Sequence, residues 1–151
     1  MKYQNEIEKT LNKNRFSRRF YVRFSLACAR DVEAYDTTNR AKECNDVVHR
    51  WINGKATIQE VNAASAAYAS TAMTAASASY ASASASYAAY AASAAHSASA
   101  SAAYAASASA AYAASATATA YAEDRNKYSK KYYDILIEMI ANLTELQREF
   151  L

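Results

Sequence analysis

Apolar residues recur at helical spacing in the first part of the chain: Ile7 and Leu11, then Phe16, Phe20 and Phe24, then Ala27 and Cys28. Steps of three to five residues keep them on one face, so the spacing predicts one or two helices from about Tyr3 to Tyr35 with that stripe inward. Asp36-Thr37-Thr38-Asn39 follows, a run of residues that cap helix N-termini, and a break is expected there. Cys44, Val47, Val48, Trp51 and Ile52 form the next stripe, with Trp51 as its core anchor, and Gly54 supplies the left-handed residue that closes a helix. Thr57-Ile58-Gln59-Glu60 has the spacing of a capping box and predicts a new helix from about Ile58. Near the other end, Glu123 and Asp124 open a segment in which Tyr132, Ile135, Leu136, Met139, Ile140 and Leu143 recur at i, i+3 and i+4. That pattern predicts an amphipathic helix running on to Phe150 and Leu151.

Between these flanks, residues 63–122 are almost entirely Ala, Ser and Tyr and carry no stripe. Ser77 to Ser86 alternates Ala with Ser, a period-two pattern that suits a strand. Ala is nevertheless the best helix former, the whole chain has one Gly and no Pro, and Ala88-Ala89 and Ala91-Ala92 break the alternation, so helix is expected throughout. Drawn out as one rod at about 1.5 Å per residue the tract would be roughly 90 Å long, so it must fold back. Ser hydroxyls can cap and turn a chain that lacks Gly and Pro, which places the expected breaks near Ser77–Ser82 and Ser97–Ser101. The expected architecture is all-α: a compact antiparallel bundle of about five to seven helices in a single domain over residues 1–151. Residues 1–60 form charged N-terminal helices, 61–122 the Ala/Ser/Tyr helical tract, and 123–151 the amphipathic C-terminal helix.

An Ala methyl contributes on the order of 0.8 kcal/mol on burial, so Ala helices must make many close contacts, at the short end of the roughly 8–10 Å range of interaxial distances. Into this smooth surface the sequence sets large residues singly: Tyr68, Met73, Tyr80, Tyr87, Tyr90, His96, Tyr104, Tyr112 and Tyr121. Each ring is either a wedge whose hydroxyl bonds a serine, or part of a cavity wall. On the second reading Tyr68, Tyr87, Tyr90, His96 and Tyr104 are the candidate ligand-binding residues, because aromatic faces, hydroxyls and an imidazole together grip a planar polar ligand such as a nucleotide.

The net charge is +3 with a pI near 8.8, and the basic excess gathers at Lys9, Lys13, Arg15, Arg18, Arg19, Arg23 and Arg30. Arg18, Arg19 and Arg23 are the candidate residues for binding a partner protein; nucleic acid is not the expected partner. Residues 63–122 contain no Asp, Glu, Lys or Arg, leaving acid–base or metal chemistry to the flanks. A non-enzymatic protein with no catalytic centre, cofactor or metal is therefore expected; the enzymatic alternative needs Asp31, Glu33, His49, Arg50 and Asp134 to converge. Cys28 and Cys44 lie outside any metal or redox spacing and are expected as small buried apolar residues. No apolar run reaches the roughly 18 residues of a membrane span and the start lacks the apolar core of a secretion signal, so a cytoplasmic protein is expected. Long small-residue faces also suit close approach of a second copy, and a homo-oligomer is expected.

The run from Asp36 to Tyr68 resembles the Imm-5-like family of immunity proteins, found in bacteria and in phage genomes. The matching residues are Asp36 and Arg40 opening a helix, then Trp51, Gly54 and Glu60, then Ala63, Ala64, Ala66, Ala67 and Ala69. His96 falls where that family often has a histidine, whereas Tyr68 stands at a family histidine and the family's Pro and Gly are missing. The resemblance implies an immunity or counter-defence protein that neutralises a toxin or defence effector by binding it. Two other readings stand beside it: a phage sponge that sequesters a nucleotide-like immune signal in a Tyr/Ser/His-lined pocket, and a structural or ice-binding helix array presenting Thr71, Thr74, Thr117 and Thr119.

Overall fold

Hydroxyls and carboxylates cut this chain into helices where Gly and Pro are scarce. The computed structural model describes residues 2–13, 16–69, 76–94 and 99–143, with the side chains of 67–69 and 99–100 outside that description. It contains α1 (Lys2–Lys13), α2 (Arg18–Val32), a 3-10 turn (Glu33–Tyr35), α3 (Arg40–Ile52), α4 (Ile58–Ala69), α5 (Ala76–Ala94), α6 (Ser99–Tyr121) and α7 (Arg125–Ala141). Among the described residues there is no strand, and the Ser77–Ser86 alternation lies inside α5.

The N-terminal stripe is two helices. Ser17 caps α2, its side chain accepting from the Phe20 amide at 3.2 Å. The Tyr21 hydroxyl ties α1 to α2, donating to the Leu11 carbonyl at 3.2 Å and accepting from the Phe16 amide at 3.3 Å. At the next break Asn39 sits at φ 62° and makes no side-chain cap; Asp36 does that work from a distance. Its carboxylate accepts from the Thr38 amide at 2.9 Å, the Thr38 hydroxyl at 2.6 Å and the Ala41 amide at 2.8 Å.

Helix α3 ends as its sequence predicts. Gly54 adopts φ 71°, its amide donates to the Trp51 carbonyl at 3.0 Å, and the Lys55 amide donates to Arg50 at 2.7 Å, the paired bonds of a Schellman closure. The capping box then forms, with the Thr57 amide donating to Glu60 Oε2 at 2.7 Å and the Glu60 amide donating to Thr57 Oγ1 at 3.2 Å.

The same closure ends α6 without a glycine. Ala122 sits at φ 53°, its amide donating to Thr119 at 3.4 Å, and the Glu123 amide donates to Ala118 at 2.9 Å. A left-handed alanine costs roughly 1–2 kcal/mol, part of which glycine would return as unfolded-chain entropy. An Ala122→Gly variant is therefore expected to be more stable by about 0.5–1 kcal/mol. A chemical-denaturation midpoint that moved down instead would place that residue elsewhere in backbone space.

One expected break is displaced. Ser77–Ser82 is helical, because Ala78 and Ala81 are buried in the core and packing holds the segment in register. The chain passes from α4 to α5 earlier, between Ala69 and Ala76, and from α5 to α6 between Ala94 and Ser99, close to the second expected break. The C-terminal helix begins after Asp124, whose carboxylate accepts from the Asn126 amide at 2.9 Å; Phe150 and Leu151 lie outside the described residues.

Helices α5 and α6 run antiparallel through the centre, with α2 across both. On the α6 side, α1, α2 and α7 supply Ile7, Leu11, Phe20, Phe24, Tyr132 and Leu136 against Ala103, Ala106, Ala110 and Ala113. On the α5 side, α2, α3 and α4 supply Val22, Leu26, Val48, Ile52 and Val61 against Ala85, Ala88, Ala89 and Ala92. The flanking helices thus bring the bulk that the alanine helices lack. Trp51 is only half-buried at the edge of this second core, so Val48 and Ile52, rather than the indole, anchor α3. Cys28 and Cys44 are both buried and free; burial pushes the Cys44 thiol up to about 11 and Cys28 well above its usual value.

Where α2, α5 and α6 meet, the contact is made by serines. The Ser84 hydroxyl donates to the Ser109 carbonyl at 2.9 Å, and Ser109 Oγ lies 3.0 Å from both the Ser84 and the Ser25 carbonyls. A hydroxyl that reaches the backbone of a neighbouring helix requires helix axes at close range, as the alanine composition predicts.

Candidate ligand-binding groove

Residues spaced three and four apart share a helix face, and three such faces converge on one groove of about 550 Å³. Helix α6 contributes Tyr104, Ser107, Ala108, Ala111, Tyr112 and Ser115; α5 contributes Tyr80 and Tyr87, two turns apart; α1 contributes Gln4, Glu8 and Asn12 at i, i+4 and i+8. Arg125, the first residue of α7, completes the lining. Ala108 and Ala111 leave the room that larger side chains would fill.

Antiparallel pairing of α5 and α6 sets the rings against each other. Tyr87 stacks on Tyr112 with centroids 5.4 Å apart and planes 13° from parallel. Tyr80 lies 6.2 Å from Tyr112, and Tyr104 meets Tyr87 edge-on at 6.3 Å. Tyr104 is 62% exposed and Tyr80 37%, so both outer rings present surface to a ligand. Burial raises the Tyr87 hydroxyl above its usual pKa, helped by the neighbouring Tyr104 and Tyr112 phenols, and the ring stays neutral across the physiological range.

The polar groups lie along the edges. Gln4, buried, donates through Nε2 to the Ser107 carbonyl at 3.1 Å and to Ser107 Oγ at 2.9 Å, which pins α1 to α6. Arg125 Nη1 donates to Ser115 Oγ at 3.3 Å. A smaller hollow of about 290 Å³ adjoins this end, sharing Tyr80, Ser115 and Arg125 and adding Thr119 and Glu123.

Of the residues singled out from sequence, Tyr87 and Tyr104 line the groove. Tyr90 touches the edge of Tyr87 at 6.5 Å but stands outside the lining, 49% exposed. The Tyr68 side chain and His96 lie outside the described residues. Tyr80, Tyr112 and the polar row of α1 also line the groove and are not among the residues that the sequence marks as ligand-binding. Their signal was the seven-residue step from Tyr80 to Tyr87 and the eight-residue step from Tyr104 to Tyr112, each returning to one helix face.

Arg18, Arg19 and Arg23 are exposed on α2. Arg23 also borders a shallower hollow of about 380 Å³ between α2 and α3, with Leu26, Arg30, His49, Ile52 and Asn53. Of the residues named for the enzymatic alternative, Asp31 pairs with Lys131 at 2.7 Å, Glu33 with Arg30 at 3.0 Å, and Asp134 with Lys130 at 2.7 Å. Thr117 is buried, donating to the Ala113 carbonyl at 3.2 Å, so it adds nothing to a flat threonine surface; Thr71 and Thr74 lie outside the described residues.

No protein-family model matches this chain, and no curated protein or solved structure matches it either. Among the described residues no helix is long and apolar enough to cross a membrane.

Proposed function

We propose that this chain is a non-enzymatic binding protein that sequesters a planar, nucleotide-like molecule in the groove between α1, α5 and α6. The supporting observation is the cluster of four tyrosine rings, Tyr80, Tyr87, Tyr104 and Tyr112, on one wall of a 550 Å³ space. That volume is in the usual range for small-molecule sites, and stacking on an aromatic side chain is worth about 1–3 kcal/mol per base. The resemblance of the Asp36–Tyr68 run to Imm-5-like proteins supports a setting in immunity or counter-defence, where removing a small-molecule signal would be the neutralising act. A homo-oligomer is part of the same proposal, since Tyr90, Tyr121 and Ile137 leave apolar surface exposed.

The second reading, direct binding of a toxin or defence effector, rests on Arg18, Arg19 and Arg23 standing exposed on α2. The two are separated by mass spectrometry, native and then denatured, on protein expressed in a bacterium with an active nucleotide-signalling defence. The groove reading expects a released small molecule, retained by an Arg18→Ala/Arg19→Ala/Arg23→Ala variant. Loss of two stacking rings in Tyr87→Ala/Tyr112→Ala should lower its affinity by roughly a hundredfold. Ligand-free protein that captures an effector only while the arginines are intact would establish the second reading instead.

A further inference from the structure

Helix α1 brings hydrogen-bond acceptors to the tyrosine groove, and acceptors select the edge of a base. Gln4 is 5% exposed and lines the groove, and its Nε2 donates to the Ser107 carbonyl at 3.1 Å and to Ser107 Oγ at 2.9 Å. A carbonyl can only accept, so the Gln4 amide cannot be turned round and Oε1 is the end left over. That oxygen is buried and accepts no hydrogen bond from any described residue. A buried acceptor left unpaired is costly, and a donor brought in by a ligand removes the cost. Glu8 stands one turn further along α1 in the same lining, exposed and with no ion pair among the described residues. Ionised, it too only accepts.

Ser107, which holds Gln4, is three residues from Tyr104 on one face of α6, and Tyr104 is 62% exposed. A base stacked on that ring brings an edge to Gln4 and Glu8. Adenine and cytosine set an acceptor nitrogen beside the amino group, and uracil flanks its one N–H with two carbonyls, so each turns lone pairs toward the carboxylate. Guanine carries two adjacent donors, the ring N1–H and the 2-amino group. A carboxylate takes both at once, and the second amino hydrogen is left for Gln4 Oε1.

Resting on the groove reading above, we infer that the ligand is a guanine nucleotide, stacked on Tyr104 with its N1–H and 2-amino edge against Glu8 and Gln4 Oε1.

Isothermal titration of the full chain with guanosine, inosine and adenosine monophosphates tests this, since the three share one sugar and phosphate and differ in the base. Guanosine monophosphate should bind most tightly. Inosine monophosphate keeps the N1–H but lacks the amino group and should bind about tenfold more weakly, and adenosine monophosphate, whose N1 lone pair meets the carboxylate, about tenfold more weakly again. Glu8→Gln, at an exposed position, should weaken guanosine monophosphate by about tenfold and erase most of its lead over adenosine monophosphate. Gln4→Met should bring guanosine monophosphate down to the level of inosine monophosphate. Urea midpoints establish that both variants fold; should Gln4→Met fail to, the ranking of the nucleotides and Glu8→Gln decide the matter. Adenosine or inosine monophosphate binding as tightly as guanosine monophosphate, or a guanine preference untouched by Glu8→Gln, overturns the inference while the tyrosine groove stands. Absence of binding by all three overturns the inference together with the groove reading.

Discussion

A Ser109→Leu variant is expected to lose about 3 kcal/mol or more of folding stability, a large share of the roughly 5–15 kcal/mol that holds a domain together. Ser109 is fully buried, and its hydroxyl is 3.0 Å from the carbonyls of both Ser25 and Ser84. The backbones of α2, α5 and α6 thus close around a side chain of two heavy atoms, and leucine brings a branched one of four. Helices pinned on three sides cannot part at one point without parting along their length, so the added volume becomes lost contact in both alanine cores. Ser109→Ala removes only the hydroxyl and should cost about 1 kcal/mol, while Ala120→Leu, on the exposed end of α6, should stay within about 0.5 kcal/mol of the parent. Urea midpoints for the three variants give the comparison directly. If Ser109→Leu were no worse than Ser109→Ala, the three backbones would have to stand further apart than the hydrogen bonds between them require.

The same smoothness explains which parts of the fold were legible in sequence. Ends written in local chemistry were readable: Gly54 closing α3, and Thr57 with Glu60 opening α4, each need only a few neighbouring residues to act. Within the alanine tract the residues that make helix also make the links, and Ser77–Ser82, offered as a break, is held in α5 by the burial of Ala78 and Ala81. Trp51 illustrates a different loss. Periodicity placed it on the inner face, but depth depends on what lies opposite, and α3 meets alanines that smaller side chains reach more closely.

For the groove, the chemistry was readable and the assembly was not. That tyrosines would stand as isolated rings in a small-residue surface follows from composition. That Tyr80, Tyr87, Tyr104 and Tyr112 share one wall follows from the register of α5 on α6, and a one-residue shift there would turn each ring by about 100°. Gln4, Glu8 and Asn12 are polar residues that no motif marks; the Gln4–Ser107 bonds make their face of α1 a wall of the groove.

Alkaline pH is expected to unfold this protein in two stages. Cys44 is buried and its thiol is pushed up to about 11, and Cys28 is also raised, by burial and by the charge of Asp31. Tyr132 is fully buried and donates to Asp31 Oδ2 at 2.7 Å; burial first, then that hydrogen bond and charge, raise its hydroxyl far above the usual phenol range. In the unfolded chain cysteines ionise near 8.5 and tyrosines near 10. Above those values the folded state keeps protons that the unfolded state has released, so stability is fully present below them and falls as pH rises toward the folded values. The decline should begin near pH 8.5 with the thiols, where Cys44 alone accounts for about 3 kcal/mol by pH 11, and steepen above pH 10 as Tyr132 joins. Cys44→Ala should flatten the first stage. Tyr132→Phe should lower stability at pH 7 by about 1–2 kcal/mol, because Asp31 loses a donor, yet flatten the second stage. Urea midpoints between pH 7 and 11 under reducing conditions measure both. A midpoint constant across that range would mean that these groups ionise as readily in the folded chain as in the unfolded one, which side chains buried in the two cores could not do.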